Sequence, residues 1–150
     1  MVSSLLIITF SVVLFLYWFR YTCLLILKTR TSRDYARQVA LANHLSFLDV
    51  SKELQRDPGM DRLADLYASL SRDYRVLAYL LRHAASLPVR GRSLERWMLT
   101  IDFKLMELNY AVTSRFASSQ ARRAVEEMSY IVTHFANAMG ERSAALSKAA

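Results

Sequence analysis

The three histidines and the single cysteine are the residue types most suited to metal chemistry, but their spacing does not suit it. His44, His83 and His134 stand far apart, and no His-x-x-x-His pair occurs. A di-iron helical bundle places Glu three residues before His, whereas an apolar residue precedes each histidine at that distance. A structural zinc site needs several Cys or His ligands, and Cys23 is the sole cysteine. The sequence therefore predicts no metal site.

Phosphate loops and catalytic pairs are excluded by the same kind of argument. The chain has only three Gly, and they are not spaced for a P-loop, a dinucleotide-binding loop or a nucleophile elbow. Glu126 and Glu127 are adjacent, so on a helix they point to different sides and do not form an acid–base pair. The sequence also lacks zinc-finger and RNA-binding motifs. We therefore expect no enzyme activity, no cofactor and no nucleic-acid partner.

The segment that positions the remainder of the chain is the apolar run of residues 1–27. It contains one charged residue, Arg20, and neither Gly nor Pro. An apolar run of about 18 residues or more is a candidate membrane helix. No Lys or Arg precedes the run, and small residues are missing where a signal peptide would be cleaved. We therefore expect residues 1–27 to form an uncleaved transmembrane anchor.

Aromatic residues surround the one charge of this anchor. Tyr17, Trp18 and Tyr21 are of the types that favour the membrane–water interface. In one interpretation they form an aromatic belt, and Arg20 extends its guanidinium to the same level. In the other, the span continues further and Arg20 lies inside the membrane, where a charge is costly and needs a partner. The second interpretation implies a partner subunit.

The residues that follow the anchor are basic. Lys28, Arg30 and Arg33 belong to a juxtamembrane collar of residues 28–33, and Arg37 comes soon after it. By the positive-inside rule, the C-terminal body then lies in the cytoplasm and the N-terminus outside. We expect a single-pass protein of the inner (plasma) membrane. Its net charge of +7 suits contact with the anionic lipids of the inner leaflet.

The body of the protein is predicted to be all-α. The chain has only three Gly and two Pro, which favours helices over a sheet with many turns. We predict helices over residues 34–56, 58–86 and 93–139. Together they would form a cytoplasmic antiparallel helical bundle or hairpin of three or four long helices, within residues 34–140.

The predicted helix boundaries depend on a few residues. Asp57 can serve as the N-cap of the second helix, with Pro58 in its first turn. A break within residues 113–120 would divide the third helix into two. Gly140 is expected to end the last helix, which leaves residues 141–150 as a flexible tail.

Two of the predicted helices carry apolar residues at alternating spacings of three and four, the pattern of a heptad seam. On the second helix the seam consists of Met60, Leu63, Tyr67, Leu70, Tyr74, Leu77 and Leu81. On the third helix it begins with Leu94, Met98, Ile101, Leu105, Leu108 and Val112. A tyrosine hydroxyl needs a polar partner, which suits packing within one chain. An intermolecular coiled coil is the alternative.

A basic ring is expected if the second body helix returns towards the membrane, as short loops between helices require. Arg82, Arg90, Arg92 and Arg96 surround the predicted turn of residues 87–92 and would join the collar at one level. Each such residue contributes roughly 1 kcal/mol towards binding anionic lipid. The alternative is that these charges only solvate helix ends.

These features favour a structural role for the protein. We expect a membrane-anchored scaffold or accessory subunit that binds a protein partner or a second copy of itself. An anionic-lipid-binding or membrane-shaping module, which uses the basic ring, is the alternative from a different class. A small-molecule carrier with an apolar slot lined by Tyr67, Tyr74 and Tyr79 is a third hypothesis.

Overall fold

Helices account for nearly all of the chain, as the scarcity of Gly and Pro predicts. The computed structural model describes residues 2–29, 34–83 and 92–149. In these ranges the chain forms six α-helices and no strand. It divides into two units, Met1–Arg30 and Thr31–Ala150. The prediction of an all-α protein is therefore confirmed.

The first unit contains helix α1, Val2–Lys28, which is about 40 Å long at 1.5 Å per residue. Only 11% of its most apolar 18-residue window is buried, unlike the core helix of a soluble domain. The hydroxyls of Thr9 and Thr22 donate to carbonyls one turn earlier, which satisfies them without water. By length and composition α1 can cross a membrane, and a signal sequence near the N-terminus meets the same criterion.

The predicted helix over residues 34–56 is two short helices instead. Helix α2 spans Ala36–Ala42 and helix α3 spans Phe47–Leu54. The N-terminus of α3 is tied to the next helix, because the backbone N–H of Ser46 donates to Oδ2 of Asp73 at 2.7 Å. Asp73 is almost fully buried, so this hydrogen bond satisfies part of a costly buried carboxylate.

The break between α2 and α3 occurs at a residue that is not glycine. Asn43 follows the last residue of α2, and His44 adopts a left-handed φ of 52°. The N–H of Leu45 then donates to the carbonyl of Ala40 at 2.9 Å. This is the hydrogen bond of a Schellman motif, in which Gly normally holds the left-handed position. The sequence prediction of one helix was wrong because no Gly or Pro marks this turn.

We predict that His44→Gly stabilises the protein. A left-handed φ costs an L-residue roughly 1–2 kcal/mol, and the greater backbone entropy of Gly in the unfolded chain offsets roughly half of that gain. The expected increase in the free energy of unfolding is therefore about 0.5–1 kcal/mol, measured by urea unfolding in detergent micelles. His44→Ala, which keeps the strained φ, should give no such increase. A destabilised glycine variant would contradict the assignment.

Helix α4 spans Met60–His83, so Asp57 and Pro58 both precede it. Asp57 has a left-handed φ of 59°, whereas an N-cap residue is normally extended. Its carboxylate accepts a hydrogen bond from Arg122, and the carbonyl of Gly59 accepts the first hydrogen bond of the helix. The N-cap prediction was wrong because the carboxylate is used for this long-range contact.

The stretch predicted over residues 93–139 is two helices. Helix α5 spans Arg92–Thr113 and helix α6 spans Ser118–Ala149. The break therefore lies within residues 113–120, the range in which the sequence analysis placed a possible break. Helix α6 continues through Gly140, which therefore does not end a helix. Residues 141–149 are helical rather than a flexible tail. A helical Gly costs about 1 kcal/mol relative to Ala and is retained here for packing.

The start of α2 lies directly on α6. Oδ1 of Asn137 accepts hydrogen bonds from the backbone N–H groups of Tyr35 and Ala36, at 2.9 and 2.7 Å. The first backbone N–H groups of a helix have no hydrogen-bond partner within the helix, and Asn137 supplies one here. One turn further along α6, a Cβ on Gly140 would lie 2.2 Å from Cβ of Tyr35. The absence of a side chain at Gly140 thus permits the close approach of the two segments.

Helix α6 is the centre of the second unit and contacts α2, α3, α4 and α5. Its buried apolar side chains are Ala121, Ala124, Val125, Met128, Ile131, Val132, Phe135 and Ala136. Three of these are alanines, and small side chains let neighbouring helices approach from several directions. The core of the unit therefore surrounds one helix.

Ring contacts fix the direction of α4 relative to α5. Tyr67 stacks on Tyr110 and Tyr74 stacks on Phe103, with ring centroids 4.3 and 3.7 Å apart. Residue numbers therefore rise along α4 as they fall along α5, and the two helices are antiparallel at these contacts. Large rings bridge the two helices, so their backbones do not need to approach closely.

Two further contacts fix the direction of α4 relative to α6. Tyr74 stacks on Phe135 with ring centroids 5.8 Å apart. Nearer the C-terminus of each helix, Nη1 of Arg142 on α6 donates to the carbonyl of Leu81 on α4 at 3.0 Å. Residue numbers rise together, so α4 and α6 run in the same direction.

Candidate functional site: a basic groove and an exposed helix face

A groove of about 740 Å³ lies between α4 and α5, within the size range of ligand pockets. Its cationic side chains are Arg75 and Arg82 from α4, and Arg96 and Lys104 from α5. Among the described residues that line it, none is acidic. We call this feature the basic groove. Such a concentration of one sign of charge beside a low-dielectric wall attracts anions.

The antiparallel arrangement aligns these cations in pairs. The stacked rings set the register between α4 and α5. In this register Arg75 lies opposite Lys104, and Arg82 lies opposite Arg96 further along the two helices. The apolar wall of the groove consists of Tyr74, Leu81 and Phe135. The groove therefore combines positive charge with apolar surface.

The cations differ in how fully the protein satisfies them. Arg96 is half-buried and its Nη1 donates a long hydrogen bond of 3.4 Å to the carbonyl of Leu81, while its enclosed Nε has no hydrogen-bond partner among the described residues. Nζ of Lys104 lies 2.6 Å from a Glu107 carboxylate oxygen. The side chain of Arg82 is exposed. Incompletely satisfied guanidinium groups can bind oxyanions through paired N–H donors.

Two residues of the predicted basic ring lie in the described part of this groove. Arg82 and Arg96 both line the basic groove. Arg90 lies outside the described residues, as does most of the predicted turn, and Arg92 is the first residue of α5. Sequence reasoning missed Arg75 and Lys104. Their spacing of seven and eight residues from Arg82 and Arg96 was the available signal.

The predicted membrane-interface residues of α1 are mostly exposed. Tyr17, Trp18, Tyr21 and Lys28 are exposed and Arg20 is partly buried. In the second unit, Arg37 on α2 is exposed. Arg30 and Arg33 lie outside the described residues, so the collar is described only at Lys28 and Thr29.

The predicted seam of α4 faces the interior of the second unit for most of its length. Leu63, Leu70, Tyr74, Leu77 and Leu81 are buried, Tyr67 is partly buried and Met60 is exposed. The seam is therefore used for packing within this chain, with Met60 excepted.

Of the three tyrosines suggested for an apolar slot, two line the basic groove and the third packs in a ring pair. Tyr67 stacks on Tyr110, whereas Tyr74 and Tyr79 both border the basic groove. Tyr79 is exposed and stacks on His83 with centroids 4.0 Å apart.

Helix α5 has two apolar faces. The face towards the interior is built from Leu99, Phe103, Met106 and Tyr110, together with the buried Asp102. The heptad seam predicted for this helix lies elsewhere: Leu94, Leu108 and Val112 are exposed, and Met98, Ile101 and Leu105 are half-buried. We call these six residues the outer α5 stripe. They extend about 27 Å along the helix, and the three exposed members leave apolar surface in water at both ends of the stripe.

The histidines lie in three different elements. His44 occupies the turn after α2, Nδ1 of His83 lies 2.9 Å from the carbonyl of Tyr79, and Nε2 of His134 lies 2.9 Å from a Glu95 carboxylate oxygen. Within the described residues, no group of His, Cys, Asp and Glu side chains is arranged to hold a metal ion.

Two tyrosines have shifted acidities. Burial raises the pKa of Tyr110, and the neighbouring Tyr67 raises it further. Burial also raises the pKa of Tyr130, with a contribution from Glu126, whose carboxylate accepts a hydrogen bond from its hydroxyl at 3.3 Å. Both shifts move the phenols away from neutral pH. They therefore remain uncharged near pH 7 and are not poised as acid–base groups.

Comparison of the chain with protein-family models, with curated proteins and with solved structures finds no match.

Proposed function

We propose that this protein is a single-pass, membrane-anchored helical scaffold that assembles through the outer α5 stripe. In this proposal α1 is an uncleaved anchor with its N-terminus outside, and the second unit is a cytoplasmic antiparallel bundle at the inner membrane. The observation that carries the proposal is an apolar stripe with three exposed members, Leu94, Leu108 and Val112, on a helix whose opposite face already packs in the core. Burying such a stripe against another helix gains roughly 25 cal/mol per Å² of apolar surface.

The favoured occupant of the stripe is a second copy of the same chain. The six residues alternate at spacings of four and three, as the core positions of a coiled coil do. In a parallel pair each residue would meet its own counterpart. In an antiparallel pair Leu94 would meet Val112, and Ile101 would meet Leu105. Both arrangements bring apolar residues together at every position, so the stripe is complementary to itself.

Anchoring in a membrane supports self-assembly for a physical reason. Confinement to the bilayer raises the effective concentration of one copy near another, so a modest interface can suffice.

We predict that the double substitution Leu108→Glu and Val112→Glu converts an assembled protein to a monomer. Both side chains are exposed, so the fold should survive, whereas two carboxylates in a helix–helix seam would be buried without partners. The measurement is native mass spectrometry of the full-length protein after extraction in a mild detergent, supported by chemical crosslinking in membranes.

The matched control is Leu41→Glu, because Leu41 is also an exposed leucine, 73% accessible, but lies on α2. It should leave the assembly intact. A monomeric wild-type protein would overturn the proposal. A wild-type protein that instead carries a different chain, released by the α5 substitutions, would replace self-assembly with the role of an accessory subunit.

A further inference from the structure

We infer that the basic groove binds the phosphate group of an anionic ligand, with an acidic phospholipid headgroup and a free phosphate compound as the two sources that share this chemistry. The described lining of the groove contains four cationic side chains, one histidine and no acidic residue. Guanidinium groups bind phosphate oxygens through paired N–H donors. This inference does not depend on self-assembly, because the groove and the outer α5 stripe are different surfaces.

The protein leaves donors available for such a ligand. Nε of Arg75 donates a 3.2 Å hydrogen bond to the carbonyl of Ser71. This hydrogen bond does not use the two terminal nitrogens of the guanidinium group. Nη1 of Arg96 donates to the carbonyl of Leu81 through a long contact, and within the part of the chain that the structure describes its Nε has no partner. A phosphate group placed between α4 and α5 would interact with cationic side chains of both helices.

The apolar wall favours the lipid as the source. Tyr74, Leu81 and Phe135 border the same space as the cations. A free phosphate compound would gain little from that surface, whereas the glycerol and upper acyl region of a phospholipid would cover it.

The test is lipid binding to the full-length protein in detergent micelles, followed by native mass spectrometry. Phosphatidylglycerol is titrated against phosphatidylcholine, which has no net charge, and inorganic phosphate is added in a separate arm. The groove variant is Arg75→Gln with Arg82→Gln, since both side chains are exposed and their loss should not disturb the core. The control variant is Arg56→Gln with Arg62→Gln, which removes the same charge from arginines that pair with Glu53.

The inference predicts that phosphatidylglycerol binds in preference to phosphatidylcholine, and that the groove variant binds it about tenfold or more weakly. The control variant should retain the affinity of the wild type. Displacement of the lipid by millimolar inorganic phosphate would support the phosphate site and assign a soluble ligand to it. An equal loss in both variants, or no preference for the acidic lipid, would overturn the inference. The oligomeric state, measured in the same spectra, tests the proposed function separately.

Discussion

Replacing Phe103 with alanine is expected to lower the free energy of unfolding by about 3–5 kcal/mol. Phe103 is fully buried, and its ring lies almost parallel to that of Tyr74, with an angle of 8° between the planes. Its removal would leave a cavity where α4, α5 and α6 meet and would also remove the stacking contact. Because domains are typically stable by only 5–15 kcal/mol, this substitution should bring the protein close to unfolding.

Phe116→Ala is the control for this prediction. It deletes the same atoms, but Phe116 is 88% exposed in the turn between α5 and α6, so its cost should be within about 0.5 kcal/mol. Both variants are compared with the wild type by urea unfolding of the full-length protein in micelles, monitored by far-ultraviolet circular dichroism. Equal costs for the two phenylalanines would mean that the interior face of α5 has been wrongly identified.

Gly140→Ala is expected to destabilise the protein by about 1–3 kcal/mol, although alanine is the better helix former by about 1 kcal/mol. The added Cβ would lie 2.2 Å from Cβ of Tyr35. A Cβ moves only with its backbone, and the backbone of Tyr35 is held by its hydrogen bond to Asn137. Relief would therefore require α2 to shift away from α6. The measurement is the same unfolding experiment.

Two comparisons make this prediction specific to the close approach. Gly59→Ala adds the same group where nothing lies within 4 Å, and it should change the free energy of unfolding by less than about 0.5 kcal/mol. In the Gly140→Ala background, Tyr35→Gly should restore stability because it removes the clashing atom, whereas Tyr35→Ala retains Cβ and should not. Rescue by both substitutions would show that the phenol ring, not the backbone approach, causes the loss.

The sequence predicted some of the helices correctly because their signals are local. The long apolar run of α1 and the seven-residue repeat of α4 are visible without any tertiary contact, and the break between α5 and α6 fell where the seam lost its apolar residues. The break at His44 was missed because a left-handed histidine has no signature in the sequence. Asp57 was misassigned because its carboxylate serves a contact with Arg122, distant in the chain.

Composition and periodicity by themselves determined the helical class of this protein, its apolar N-terminal segment and the positions where helices could carry apolar stripes, because these depend on residue types and short spacings. They could not decide which stripe of α5 is buried, since both are apolar and only the packing against α4 and α6 distinguishes Phe103 from Leu108. Nor could they bring Arg75 and Lys104 beside Arg82 and Arg96. That arrangement depends on the register between two antiparallel helices, which the stacking of Tyr74 on Phe103 sets. The tertiary structure therefore decided both candidate surfaces.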